Sequence, residues 1–114
     1  MLNVTAEQFA TIHTEATKAA EQAAKEYFQT ELNGKDSFPC GFAWVKVYDI
    51  KLNTKLGKAM AAYGFSKSYS SGINLWDPSK LNCQNVDAKY FGAVAYAKVL
   101  KSYGINAVAE SRWD

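Results

Sequence analysis

Thr5-Ala6-Glu7-Gln8 opens the longest periodic segment of the chain, and that segment restricts the fold more than any other feature. The Thr5 hydroxyl can accept from the amide three residues on while the Gln8 side chain reaches back, the reciprocal pattern of a capping box. Phe9, Ile12, Ala16, Ala19, Ala23 and Tyr27 then recur at three- and four-residue spacing, and Asn33-Gly34 supplies a stop. The pattern predicts one amphipathic helix over residues 5–32. At about 1.5 Å per residue it runs ~42 Å, longer than a compact domain of this size is wide. Its stripe is mostly alanine, which permits close helix approach but buries little area per residue. Such a helix must lie along a sheet or along a second copy of itself. A homo-oligomer joined through residues 5–32 is expected on that ground.

Residues 33–41 form a polar connector containing Gly34 and Phe38-Pro39. Beyond it the period changes to two: Ala43, Val45 and Val47 alternate with Trp44, Lys46 and Tyr48, which reads as a strand. Asn53 or Thr54 caps a short helix that carries Leu56, Ala59, Met60 and Tyr63 and ends at Gly64. Two short extended pieces surround Ser70-Ser71-Gly72, and Asp77-Pro78 closes them. Asn85 or Asp87 caps a further helix through Tyr103, stopped by Gly104, and Ile105–Arg112 is the last strand. In both later helices a Tyr-Gly pair precedes an apolar residue that starts the next strand, although glycine stops are common enough to need no duplication. The order after the leading helix is β-α-β-β-α-β. We therefore expect an α+β fold, a ferredoxin-like sheet preceded by a long N-terminal helix, with residues 42–114 as its core. A three-stranded sheet with residues 65–77 mostly loop is the alternative.

Composition bounds what such a domain can do. At 114 residues there is material for a single domain with one core, and 48% apolar against 21% charged residues is the balance of a folded globule. Thirteen basic and eleven acidic side chains leave +2, too little to hold phosphates by long-range field alone. Arg112 is the only arginine, and bidentate clamps on phosphate favour Arg over Lys. Met1–Thr5 shows no cationic or apolar leader, and no apolar run approaches the ~20 residues that span a bilayer. No membrane association, a cytoplasmic setting, and thiols at Cys40 and Cys83 are the expectation.

The alternation assigns Val45, Val47, Ile73, Leu75, Ile105, Ala107 and Ala109 to the sheet face under the helices. The opposite face carries Trp44, Lys46, Tyr48, Lys67, Tyr69, Asn74, Trp76, Val108, Glu110 and Arg112. Rings interleaved with cations can stack a flat ligand while neutralising its phosphates. Packing alone favours a plainer outcome, in which the N-terminal helix or a partner subunit lies across this face and the rings are core.

Catalytic and cofactor chemistry find little support. Cys40 sits in Pro39-Cys40-Gly41 before a strand, but the lone histidine, His13, belongs to the long helix, so no base is paired with the thiol. His13 reads as an edge-of-stripe residue. The carboxylates Asp49, Asp77, Asp87 and Glu110 lie on separate segments, and Asp77 and Asp87 suit turn and cap positions. The glycines never group into a phosphate-cradling loop, and two cysteines with one histidine do not make a zinc site. Gly92, inside the third helix, is expected to permit close contact with the sheet. No cofactor and no metal are expected.

Cys40-Gly41-Phe42-Ala43-Trp44-Val45, then Ser68-Tyr69 followed by Gly72 and Trp76, and finally Ser111-Arg112-Trp113-Asp114 together resemble small, functionally uncharacterised proteins of tailed bacteriophages. The resemblance covers residues 40–114, with Ser71-Gly72 where two glycines are expected and Trp113 in place of a Met. It implies phage origin and a host cytoplasm, without an activity. The resulting expectation is a non-catalytic binding module acting on a host factor or a small nucleotide or nucleic acid. Its candidate ligand-binding residues are Trp44, Lys46, Tyr69, Trp76 and Arg112. A structural or assembly role through the N-terminal helix is the alternative.

Overall fold

The computed structural model describes residues 4–36, 40–68, 71–80 and 85–113. Its elements are α1 (Ala6–Thr30), β1 (Gly41–Val47), α2 (Lys55–Ala62), β2 (Ser66–Lys67), β3 (Ile73–Trp76), α3 (Val86–Ser102) and β4 (Ala107–Trp113). Both arms of the capping box are made: the Gln8 amide donates to Thr5 Oγ1 at 3.2 Å and the Thr5 amide to Gln8 Oε1 at 2.9 Å. The helix stops where the Gly34 amide turns back to the Phe28 carbonyl at 2.9 Å, with Asn33 and Gly34 both at positive φ. Thr54 and Asn85 cap α2 and α3 through their side chains.

The four strands form one antiparallel sheet in the order β2-β3-β1-β4. The α+β class and the β-α-β-β-α-β order therefore hold. What departs from expectation is the weight of the parts. β2 is only two residues long, and the leading helix joins the other two on one side of the sheet. Phe9 and Ile12 of α1 share a single buried cluster with Val45, Val47, Ile73 and Leu75 of the sheet and with Met60, Tyr96 and Leu100 of the other helices. The expectation that α1 lies across the Trp44 face is thus overturned. Its buried side carries two large apolar groups that need a deep core, and the core is on the side of Val45.

The buried line of α1 is Phe9, Ile12, Ala16, Ala20 and Ala24, whereas the sequence pattern pointed to Ala19 and Ala23. From Ile12 onward the steps are all four residues, the ridge along which helices interdigitate. The partner is α3, running antiparallel. Near one end Tyr103 donates its hydroxyl to Glu15 at 2.7 Å, and near the other the rings of Tyr27 and Phe91 stack at 4.9 Å. Between them the backbones come very close at Gly92. A Cβ there would stand 3.2 Å from the Ala20 carbonyl oxygen and 2.7 Å from Ser79 Cβ. Gly92 therefore serves close contact with α1 and with Ser79 in the segment after β3, not the contact with the sheet that its place in the sequence suggested.

His13 sits inside this helical layer. Its ring lies 4.3 Å from that of Tyr63, Nδ1 is 2.6 Å from the Tyr96 hydroxyl, and Nε2 is 3.3 Å from Thr17 Oγ1. Burial holds its pKa below the usual histidine value, and the Lys80 charge adds to the effect. Burial likewise pushes the Tyr96 hydroxyl well above the ordinary tyrosine range.

Two measurements check this packing. Ala20→Leu and Gly92→Val should each lose roughly 1–3 kcal/mol in urea unfolding as overpacked positions, while Ala19→Leu should cost distinctly less. The neutral His13 gives a pH dependence of definite sign. The unfolded chain takes up the proton first, so stability is full above ~6.5 and falls as pH drops below it toward the lowered native value. Thermal melts of His13→Gln should lose most of that slope.

Candidate ligand-binding face

Alternation along β1 sends Ala43, Val45 and Val47 toward the helices and Phe42, Trp44 and Lys46 the other way. The register extends this across the sheet, because residues directly opposite one another share a face. Trp44 stands between Trp76 on β3 and Glu110 on β4, Lys46 between Asn74 and Val108, and Phe42 beside Arg112. Four of the expected site residues, Trp44, Lys46, Trp76 and Arg112, are therefore on one face. Tyr69 lies outside the described residues, as does Cys83. Lys67 is a correction: it pairs with Ile73, so it belongs to the helix side of the edge strand, where it is exposed.

The face has an internal order. The two indoles lie 4.8 Å apart at 40°, and Phe42 meets Trp76 edge-on at 6.3 Å. Trp44 is held in place, its Nε1–H donating to Glu110 Oε1 at 2.9 Å. The same oxygen is 4.0 Å from the Lys46 ammonium, which lies 5.7 Å from the Tyr48 ring centre, and Lys46 as a residue is only 7% exposed. Lys46 thus acts as the counter-charge of Glu110. Trp76 and Phe42, by contrast, are 47% and 39% exposed. Among the described residues Asn74 Oδ1 is buried without a hydrogen-bond partner, a condition that costs on the order of 1–3 kcal/mol.

At the Phe42 end two cations converge on one ring. Arg112 is 5.5 Å and the Lys89 ammonium 5.6 Å from the Phe42 centroid, and Lys89 also donates to the Gly41 carbonyl at 3.1 Å. Gly41 makes this possible, because a Cβ there would lie 2.3 Å from the Arg112 carbonyl oxygen and 3.0 Å from Val86 Cβ. The missing side chain lets the start of α3 close onto the start of β1. Phe42 is absent from the set of residues expected on this face, although its two-residue spacing to Trp44 is a signal that places it there. Lys89 carried no signal, since a lysine on a helix looks solvated until the helix is docked.

Three depressions lie away from this face. A depression of about 390 Å³ is bounded by Val4, Ile12 and Tyr103, another of about 440 Å³ adjoins Tyr27 and Phe91, and a third of about 390 Å³ adjoins Ile50, Lys51 and Lys67. On the aromatic face the rings of Trp76 and Phe42 are exposed, which leaves ring surface for stacking. Cys40 is half-buried and bridged to Asn85. Among the described residues no three His, Cys, Asp or Glu side chains group to hold a metal ion, and no helix is long and apolar enough to cross a membrane. No family model, curated protein or solved structure matches the chain.

The two indoles should respond differently to truncation. Trp44→Phe deletes a hydrogen bond to a part-exposed carboxylate and should cost about 1 kcal/mol in denaturant unfolding. Trp76→Phe keeps the ring contact and should stay within about 0.5 kcal/mol of the parent.

Proposed function

We propose that this chain is a non-catalytic binding module that takes a nucleotide, or a nucleotide of a single-stranded nucleic acid, on the open face of its sheet. The observation that carries the reading is the Trp44–Trp76 pair. It is fixed by strand register and by Glu110, is exposed through Trp76, and adjoins cations on the side away from all three helices. A ring stacked on such a platform gains about 1–3 kcal/mol per base, and the charge beside it favours an anionic ligand over a neutral one. A catalytic role finds no support in the one histidine, which is engaged by Tyr96 and Thr17 in the helical layer on the other side of the sheet. The resemblance of residues 40–114 to phage proteins supports reading the module as phage-encoded and acting in the host cytoplasm.

Assembly through the helices is a second reading. The alanine stripe that suggested it is covered by α3, but Phe91, stacked on Tyr27 of α1, and Val94 are exposed on α3, and a second copy could cover them. Light scattering over a concentration series, repeated with Phe91→Glu, separates the two. A mass that falls to the monomer in the variant favours assembly, and a monomer throughout rejects it.

The binding reading is tested by tryptophan emission in a Trp113→Phe background, with iodide as quencher. Emission should be quenched before ligand is added and protected by nucleotide or by a short single-stranded oligonucleotide. Trp76→Ala should weaken binding by roughly 5- to 150-fold while leaving the melt intact. If no added nucleotide or oligonucleotide changes emission or melting temperature, the stacking site is wrong.

A further inference from the structure

We infer that the ligand of this face carries a 5′-phosphate, held at the Phe42 end by Lys89 and Arg112, with its base on Trp76 and Trp44. The inference rests on the stacking reading above and adds to it a polarity, a ligand class and a residue, Lys89, that the strand pattern does not contain.

The argument is one of charge balance along the face. At the Trp44 end the charges are matched: Lys46 faces Glu110, and that carboxylate also holds the indole. A phosphate placed there would meet Glu110 across a short gap and be repelled. At the Phe42 end Lys89 and Arg112 form no ion pair among the described residues, although both stand within 6 Å of the same ring. Two cations that share one exposed ring, with no carboxylate paired to either among the described residues, add to the positive potential around it and favour an anion there. Their chemistry suits a phosphate. A guanidinium lying over a ring uses its π face and leaves N–H edges for bidentate contact, and the ammonium adds a point charge. The start of α3 is not an alternative anion site, because the Asn85 side chain takes the Ala88 amide and the Asp36 carboxylate takes the Asn85 amide.

The size of the platform selects the ligand class. Its rings contact one another at 4.8 and 6.3 Å, edge-on or tilted, so they form one stacking surface and not a series of steps for successive bases. One base with its own phosphate fits this arrangement better than the interior of a strand. The phosphate can belong to a free nucleotide or to the 5′ end of a strand, and the same titration distinguishes them.

Indole emission of the Trp113→Phe protein is followed on adding adenosine, AMP, ATP, and one short oligonucleotide with either a 5′-phosphate or a 5′-hydroxyl. Affinity should rise at least tenfold from adenosine to AMP and fall with added salt. Arg112→Gln and Lys89→Gln, with unchanged melts, should each remove most of the gain from adenosine to AMP. Lys89→Arg should keep it. A preference for ATP over the phosphorylated strand identifies a free nucleotide as the source, and the reverse order identifies a strand end. Equal affinity for adenosine, AMP and both oligonucleotides overturns the phosphate site while leaving the stacking reading standing. Tight binding of the oligonucleotide regardless of its 5′ group also overturns it. No response to any probe overturns the stacking reading, and the inference with it.

Discussion

The close antiparallel contact between α1 and α3 is the constraint on which the rest depends. Alanines at 16, 20 and 24 bury little area each, so their value is in permitting approach, and Gly92 completes that approach from the other side. Once the helices are joined, Phe9 and Ile12 at the front of α1 are carried into the cluster under the sheet, where full burial stabilises each by about 1.5–3 kcal/mol. The helical layer then contains all three helices. The opposite sheet face is left without a helix of its own.

That outcome gives the aromatic residues their character. Had α1 crossed the other side, Trp44 and Trp76 would be core rings and their chemistry would be packing. In the structure Trp44 is pinned by Glu110 and half-covered, while Trp76 and Phe42 remain accessible beside cations. Exposed large rings held in fixed orientation are costly to leave facing water. The same rigidity lowers the entropy lost when a ligand stacks on them.

The polar cluster of His13, Tyr96 and Thr17 has a different role. It lies within the layer that joins the helices, where desolvation keeps the imidazole neutral. Its hydrogen bonds fix the orientation of α1 on α3 in a contact otherwise built from small, featureless side chains. Polar groups of this kind specify one packing among several that alanines alone would allow.

Local chemistry determined much of this protein from the sequence alone. The Thr5–Gln8 box, the Thr54 and Asn85 caps, the stops at Gly34, Gly64 and Gly104, and the alternation of β1 each depend on near neighbours, and each was legible. So was the sharing of one face by Trp44, Lys46, Trp76 and Arg112, because a period of two fixes sidedness once strands pair. Three matters were decided only by tertiary structure. Which line of alanines is buried depended on the angle at which α3 crosses, since Ala19, Ala20, Ala23 and Ala24 are interchangeable by composition. Which side of the sheet α1 occupies depended on where Phe9 and Ile12 could find a core. Lys89 entered the face only because Gly41 lets α3 dock against β1, a contact between segments far apart in the chain. Local rules act over a turn or a strand pair. The docking of helices is settled by the summed burial of side chains that no short window contains.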